Sequence, residues 1–159
     1  MTELFLEQIE EAKKALEVAD HLTYVTFPLM GDNKILNMIT DNLNIALIKT
    51  MDSLLNYDKY YKRIYIIPED FENKFDVLKN EVAKRYNISN ETLLMIKEIK
   101  DIHGSKKKTN SLDIKRDFSF IHVFKSKTPD LKKIKDYIND SKLLIEKVNT
   151  IIGKNVRGL

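Results

Sequence analysis

Two residues in the stretch "KRDFSFIHVF" could do chemistry together: Arg116 and His122, with five residues between them. A guanidinium stabilises negative charge that develops on a phosphate. An imidazole moves protons near neutral pH and so can serve as acid or base. On a straight helix, six residues at about 100° each leave the two side chains about 120° apart. They share a face only if the segment is extended, because an offset of six is even. The neighbours Phe118, Phe120, Ile121, Val123 and Phe124 have the character of packing positions. That pattern favours a second reading, in which Arg116 is a loop cation and His122 a partly buried, hydrogen-bonded ring.

The surrounding segment is the most basic part of the chain. Residues 104–127 contain seven basic and two acidic residues. Residues 1–99 contain 12 Lys+Arg against 17 Asp+Glu, and residues 100–159 contain 15 against 7, so the overall +3 conceals a marked asymmetry. Lys106, Lys107, Lys108, Lys115, Arg116, Lys125 and Lys127 could contact phosphates, with salt-dependent and sequence-blind affinity. In a protein this rich in lysine, a solvated loop explains the same residues, and that explanation is preferred.

The spacing Arg116-x5-His122, with the polar Asp117 directly after the arginine, resembles the motif of the HEPN family of small helical bundles. The resemblance implies a four- or five-helix up-and-down bundle, often dimeric, and for many members a metal-independent ribonuclease or toxin. It further implies that Arg116 binds the scissile phosphate and that His122 serves as base or acid in attack by the RNA 2′-hydroxyl. No metal or cofactor is required for that chemistry.

Other site classes find no support. The chain has no cysteine, which excludes disulfides and thiolate metal sites and fits a reducing cytoplasm. His21 and His103 have no partner at metal-binding spacing, and they are expected on helix surfaces or edges. With 4 Gly and 3 Pro, the chain lacks glycine-rich phosphate loops and a nucleophile elbow, and it is poor in the turn residues that all-β folds need. The N-terminus "MTELFLEQIEEAKK" is amphipathic and acidic, unlike a signal peptide. No apolar run approaches the roughly 18–20 residues of a membrane span, so no membrane association is expected.

The elements that must position any site are helices. Residues 1–159 are expected to form one all-α domain, an up-and-down bundle of about five helices, with an irregular basic segment between helices four and five. Helix one starts near Thr2 with the stripe Phe5, Ile9, Ala12, Leu16 and Ala19, and Pro28 and Gly31 interrupt it. Helix two, capped by Asp32 or Asn33, carries Ile35, Ile39, Leu43, Ala46, Thr50 and Leu54 and fades near Tyr57. Its stripe is widened by Leu36, Leu47, Ile48 and Leu55, which predicts a central position.

After helix two comes "NYDKYYKRIYIIPEDF", where tyrosines alternate with Lys59, Lys62 and Arg63. These residues could be a stacking surface, but rings that close one end of the core are the preferred reading. Helix three should open at Pro68 and present Phe71, Phe75, Leu78 and Val82. Helix four follows Ser89 or Asn87, presents Leu93, Ile96 and Ile99, and should end at Gly104. Helix five, capped by Thr128 and opened by Pro129, carries Leu131, Ile134, Ile138, Ser141, Ile145, Val148 and Ile152 and should stop at Gly153.

The expected role is macromolecular interaction without catalysis, with RNA, a protein partner or a second copy of the chain as the binding partner. The ribonuclease that the resemblance implies is the alternative.

Overall fold

The computed structural model describes the backbone of residues 2–110 and 130–157, and side chains over 4–104 and 130–154. All regular structure among the described residues is helical. The chain begins with α1 (Thr2–His21). It continues without a break through a wider π turn, Leu22–Thr26, into the short α2 (Phe27–Met30). Pro28 therefore does not interrupt the helix where the sequence suggested. Proline cannot donate to a preceding carbonyl and its ring crowds the turn before it. The Phe27 N–H reaches back five residues to Leu22, and this π turn places Pro28 at the start of a new helical piece, where the missing donor costs little.

Gly31 makes the actual stop. Its φ of 62° is left-handed, and its N–H closes on the Phe27 carbonyl at 2.8 Å. Asp32 follows and caps α3 (Asn33–Tyr60) by accepting from the Lys34 N–H at 2.9 Å. The two-residue link returns α3 antiparallel to α1. Ser53 Oγ donates to the Phe5 carbonyl at 2.7 Å, Asn56 meets Gln8 at 3.0 Å, and Lys49 pairs with Glu11 at 2.8 Å.

The expected stripe of α3 is buried from Ile35 to Leu54, and α3 packs against α1 and both later long helices, so it occupies the centre. The helix continues three residues past Tyr57, to Tyr60. A short α4 (Phe71–Val77) runs into a second π turn, Leu78–Val82. Its cap is Asp70, which accepts from the Asn73 N–H at 3.0 Å, and Pro68 lies outside the helix. A carboxylate that takes up an orphan N–H defines a helix start better than a proline that only tolerates one. That hydrogen bond and a second from the Asn73 side-chain amide hold the Asp70 carboxyl below its usual range.

Ser89 caps α5 (Asn90–Asn110) through the Thr92 N–H at 3.1 Å. Leu93, Ile96 and Ile99 of α5 are buried as expected. Asp130 caps α6 (Leu131–Arg157) through the Lys133 N–H at 2.8 Å, while Thr128 and Pro129 lie outside the described residues. From Ile134 to Ile152 the α6 seam is buried, and Leu131 at its start is half-buried.

Neither Gly104 nor Gly153 ends its helix. Both sit within helical runs, and neither takes a left-handed φ. Glycine ends a helix only where the chain uses that freedom, and an interior glycine costs only about 1 kcal/mol. Lys106, Lys107 and Lys108 thus belong to the last turns of α5 and not to an irregular segment.

The order along the chain is down, up, down, up for α1, α3, α5 and α6. Tyr137 Oη donates to Glu98 at 2.7 Å and Lys147 reaches the Asn87 carbonyl at 2.7 Å, which sets α6 antiparallel to α5. Asp20 with Lys142 at 2.7 Å joins α1 to α6. One apolar cluster runs through all four long helices. The up-and-down all-α bundle is therefore the fold. No helix among the described residues is long and apolar enough to cross a membrane.

Candidate functional site: an arginine pair on a buried carboxylate

The apolar stripe of α3 does not stop at Leu54. Four residues on, the same face presents Asp58, a carboxylate with 0% of its side chain exposed. A buried carboxylate requires cationic or hydrogen-bonding partners. The chain supplies three. Arg63 Nη1 donates to Asp58 Oδ1 at 3.4 Å. Arg85 Nη1 donates to Oδ2, and the Tyr86 hydroxyl donates to Oδ1. Arg63 Nη1 also donates to the Tyr86 oxygen at 3.0 Å, so the four groups close on one another.

Local structure delivers each partner. α3 ends at Tyr60, and Lys62 takes a left-handed φ of 58°, which turns the chain back. The N–H of Arg63 then bonds the Asp58 carbonyl at 2.8 Å, which anchors Arg63 beside the carboxylate. Arg85 and Tyr86 come from the turn after the second π segment, which Asn87 closes with a φ of 54°. Ring faces hold the guanidinium planes. Arg63 lies 5.3 Å from the Tyr61 centroid and 5.7 Å from that of Tyr57, and Arg85 lies 6.0 Å from Tyr86.

Burial works against the charge on Arg63, but the hydrogen bond to Tyr57 and the charge on Asp58 outweigh it, so its pKa lies above the ordinary value. Burial pushes the Tyr86 phenol well above its usual range, and the hydrogen bond to Asp58 adds to the shift. Tyr137, buried and bonded to Glu98, is raised for the same two reasons.

These two phenols predict an alkaline weakness. A phenol whose folded pKa is raised adds stability below the unfolded value of about 10, and that stability is lost as pH rises toward the folded value. The urea midpoint should fall between about pH 9.5 and 11. A Tyr86→Phe/Tyr137→Phe variant should fall less steeply, and parallel curves for the two proteins would refute the assignment.

The outer face of the cluster is cationic. Arg63 and Arg85 each keep 35% of their side-chain surface open. Lys59, Lys62 and Lys84, each adjacent to a member of the cluster or one residue further along the chain, are exposed. Residues 57–63 and 82–88 together hold five basic residues and one acidic residue, Asp58. Close by, Tyr65 and Ile66 are 81% and 77% exposed. The tyrosine stretch closes one end of the core, as preferred, and also leaves rings exposed. Tyr57 closes the core and packs edge-on against Phe5 at 5.4 Å, Tyr60 is partly open but packs on Phe5 and Tyr61, and Tyr65 faces outward.

Arg116, His122, Lys115, Lys125 and Lys127 lie outside the described residues. Lys106, Lys107 and Lys108 are placed on α5 by backbone alone. That part of α5 follows His103, whose Nδ1 lies 3.1 Å from Asp41 Oδ1 near the start of α3. Seventeen residues of helix, about 25 Å, separate Asp41 from Asp58, so the arginine pair sits toward the opposite end of the bundle. His103 is an interhelical contact and is only 17% exposed in its side chain; His21 is exposed.

Sequence reasoning missed Asp58, Arg85 and Tyr86. The available signal was an aspartate in the apolar register of α3, four residues after Leu54.

Fold and site together define a helical bundle with a carboxylate-fixed pair of arginines at one end. No family model, curated protein or solved structure matches the chain.

Proposed function

We propose that the protein is a non-enzymatic helical bundle that binds RNA through this arginine-rich end. The observation that supports it is the pair of guanidiniums fixed on buried Asp58, with outward faces among exposed lysines and tyrosines. A guanidinium whose orientation is already fixed loses little freedom when it meets a phosphate. Phosphates reward that arrangement more than neutral partners do. Lys106–Lys108 lie toward the opposite end of the bundle and are not part of this surface. The cytoplasm is the proposed location, in keeping with the absence of cysteine.

The test is fluorescence anisotropy with labelled single-stranded RNA in EDTA, at low and moderate salt. Binding should weaken steeply with salt. A Lys59→Glu/Lys62→Glu/Lys84→Glu variant leaves the buried cluster untouched and should lose at least tenfold in affinity. Salt-insensitive binding, or none, overturns the reading and directs attention to a protein partner or a second copy.

A second reading is a HEPN-type ribonuclease that uses Arg116 and His122. The up-and-down all-α bundle supports it, because that is the architecture the resemblance implies. The same incubation, run on a gel, reads it out. EDTA-resistant cleavage that is lost in His122→Ala while binding persists would establish it.

A further inference from the structure

We propose, resting on the RNA-binding reading, that the arginine-rich end selects single-stranded over paired RNA, with a phosphate on Arg63 and Arg85 and the adjacent base stacked on Tyr65. Two independent observations meet here. The first is the guanidinium pair, whose Nη1 groups point inward to Asp58 while a third of each side chain stays open. The second is Tyr65, the most exposed aromatic of the described residues at 81%. The other rings at this end are engaged. Tyr57, Tyr60 and Tyr61 pack on one another or on Phe5, and Tyr86 is bonded to Asp58. Tyr65 makes no ring, cation or hydrogen-bond contact with a described residue.

Buried Ile64 anchors the backbone between Arg63 and Tyr65 and so limits how far the ring can drift. Two residues of chain span at most about 7 Å, so the Tyr65 backbone stays close to that of Arg63. Ile66, the next residue, is 77% exposed. An unpaired base offers its flat face to such a ring, whereas in an A-form duplex the bases are already stacked and only the backbone is available. The phosphate contact alone would not tell the two apart. The discrimination comes from Tyr65.

The experiment compares a labelled 12-nucleotide single strand with the same sequence as a blunt duplex, at one fixed salt concentration. The proteins are the full chain, Tyr65→Phe and Tyr65→Ala. The expected result is at least tenfold tighter binding of the single strand. Tyr65→Ala should lose about tenfold on the single strand only, with its salt dependence unchanged. Tyr65→Phe keeps the ring face and should bind as the parent does. Equal affinity for strand and duplex, or an unchanged Tyr65→Ala, overturns the stacking proposal but leaves RNA binding standing. No salt-sensitive binding of either RNA removes the underlying reading as well.

Discussion

An Arg63→Met/Arg85→Met double variant is expected to lose about 3–5 kcal/mol of unfolding free energy, the typical cost of leaving a buried charge without its partners. Asp58 is 0% exposed and cannot turn out to water, because α3 holds it on the core face. Its two cationic partners are partly open, so their own desolvation is modest and the carboxylate carries most of the penalty. Adding Asp58→Leu to the double variant should recover most of the loss, since apolar replacement of a whole buried ion cluster is often neutral or better. Urea unfolding of the parent, double and triple variants checks both steps. A double variant within about 0.5 kcal/mol of the parent would show that the cluster is not an electrostatic clasp. A triple variant no better than the double would place the loss in packing of the arginine stems instead.

Leu43→Ala is expected to cost about 2–5 kcal/mol, through lost apolar burial and the cavity that remains. Leu43 has 0% exposure on α3, the helix that touches every other layer, so no neighbour can close the gap without disturbing a second interface. For a chain of this length the melting temperature should fall by about 5–15 °C. Leu143→Ala is the control. Leu143 lies on the outer side of α6 with 65% exposure, and its removal should stay within about 0.5 kcal/mol. A similar loss in both variants would contradict the assignment of α3 as the central helix.

The helical stripes were legible because burial of a helix face leaves a period of three to four in the sequence. Phe5 to Ala19, Ile35 to Leu54 and Ile134 to Ile152 fall where that period puts them. Caps were legible where a side chain does the work, as at Asp32 and Ser89. Pro28, Gly104 and Gly153 misled because Pro and Gly permit a break without imposing one, and the surrounding chain decided. The site was legible only in half. The basic tyrosine stretch drew attention to Lys59, Lys62 and Arg63, but Arg85 and Tyr86 are more than twenty residues further on and carry no local signature.

Composition and periodicity alone therefore determined that this chain is all-α, with α3 at the centre and a long, regular seam on the last helix. They determine this because apolar burial is a property of each helix face taken separately. Only the tertiary structure decided that Asp58 is enclosed, that Arg63 and Arg85 share it, and that Tyr65 is left outside. Those facts depend on which ends of which helices meet, and a contact between residues 58 and 85 is set by how the bundle packs, not by any residue's neighbours along the chain.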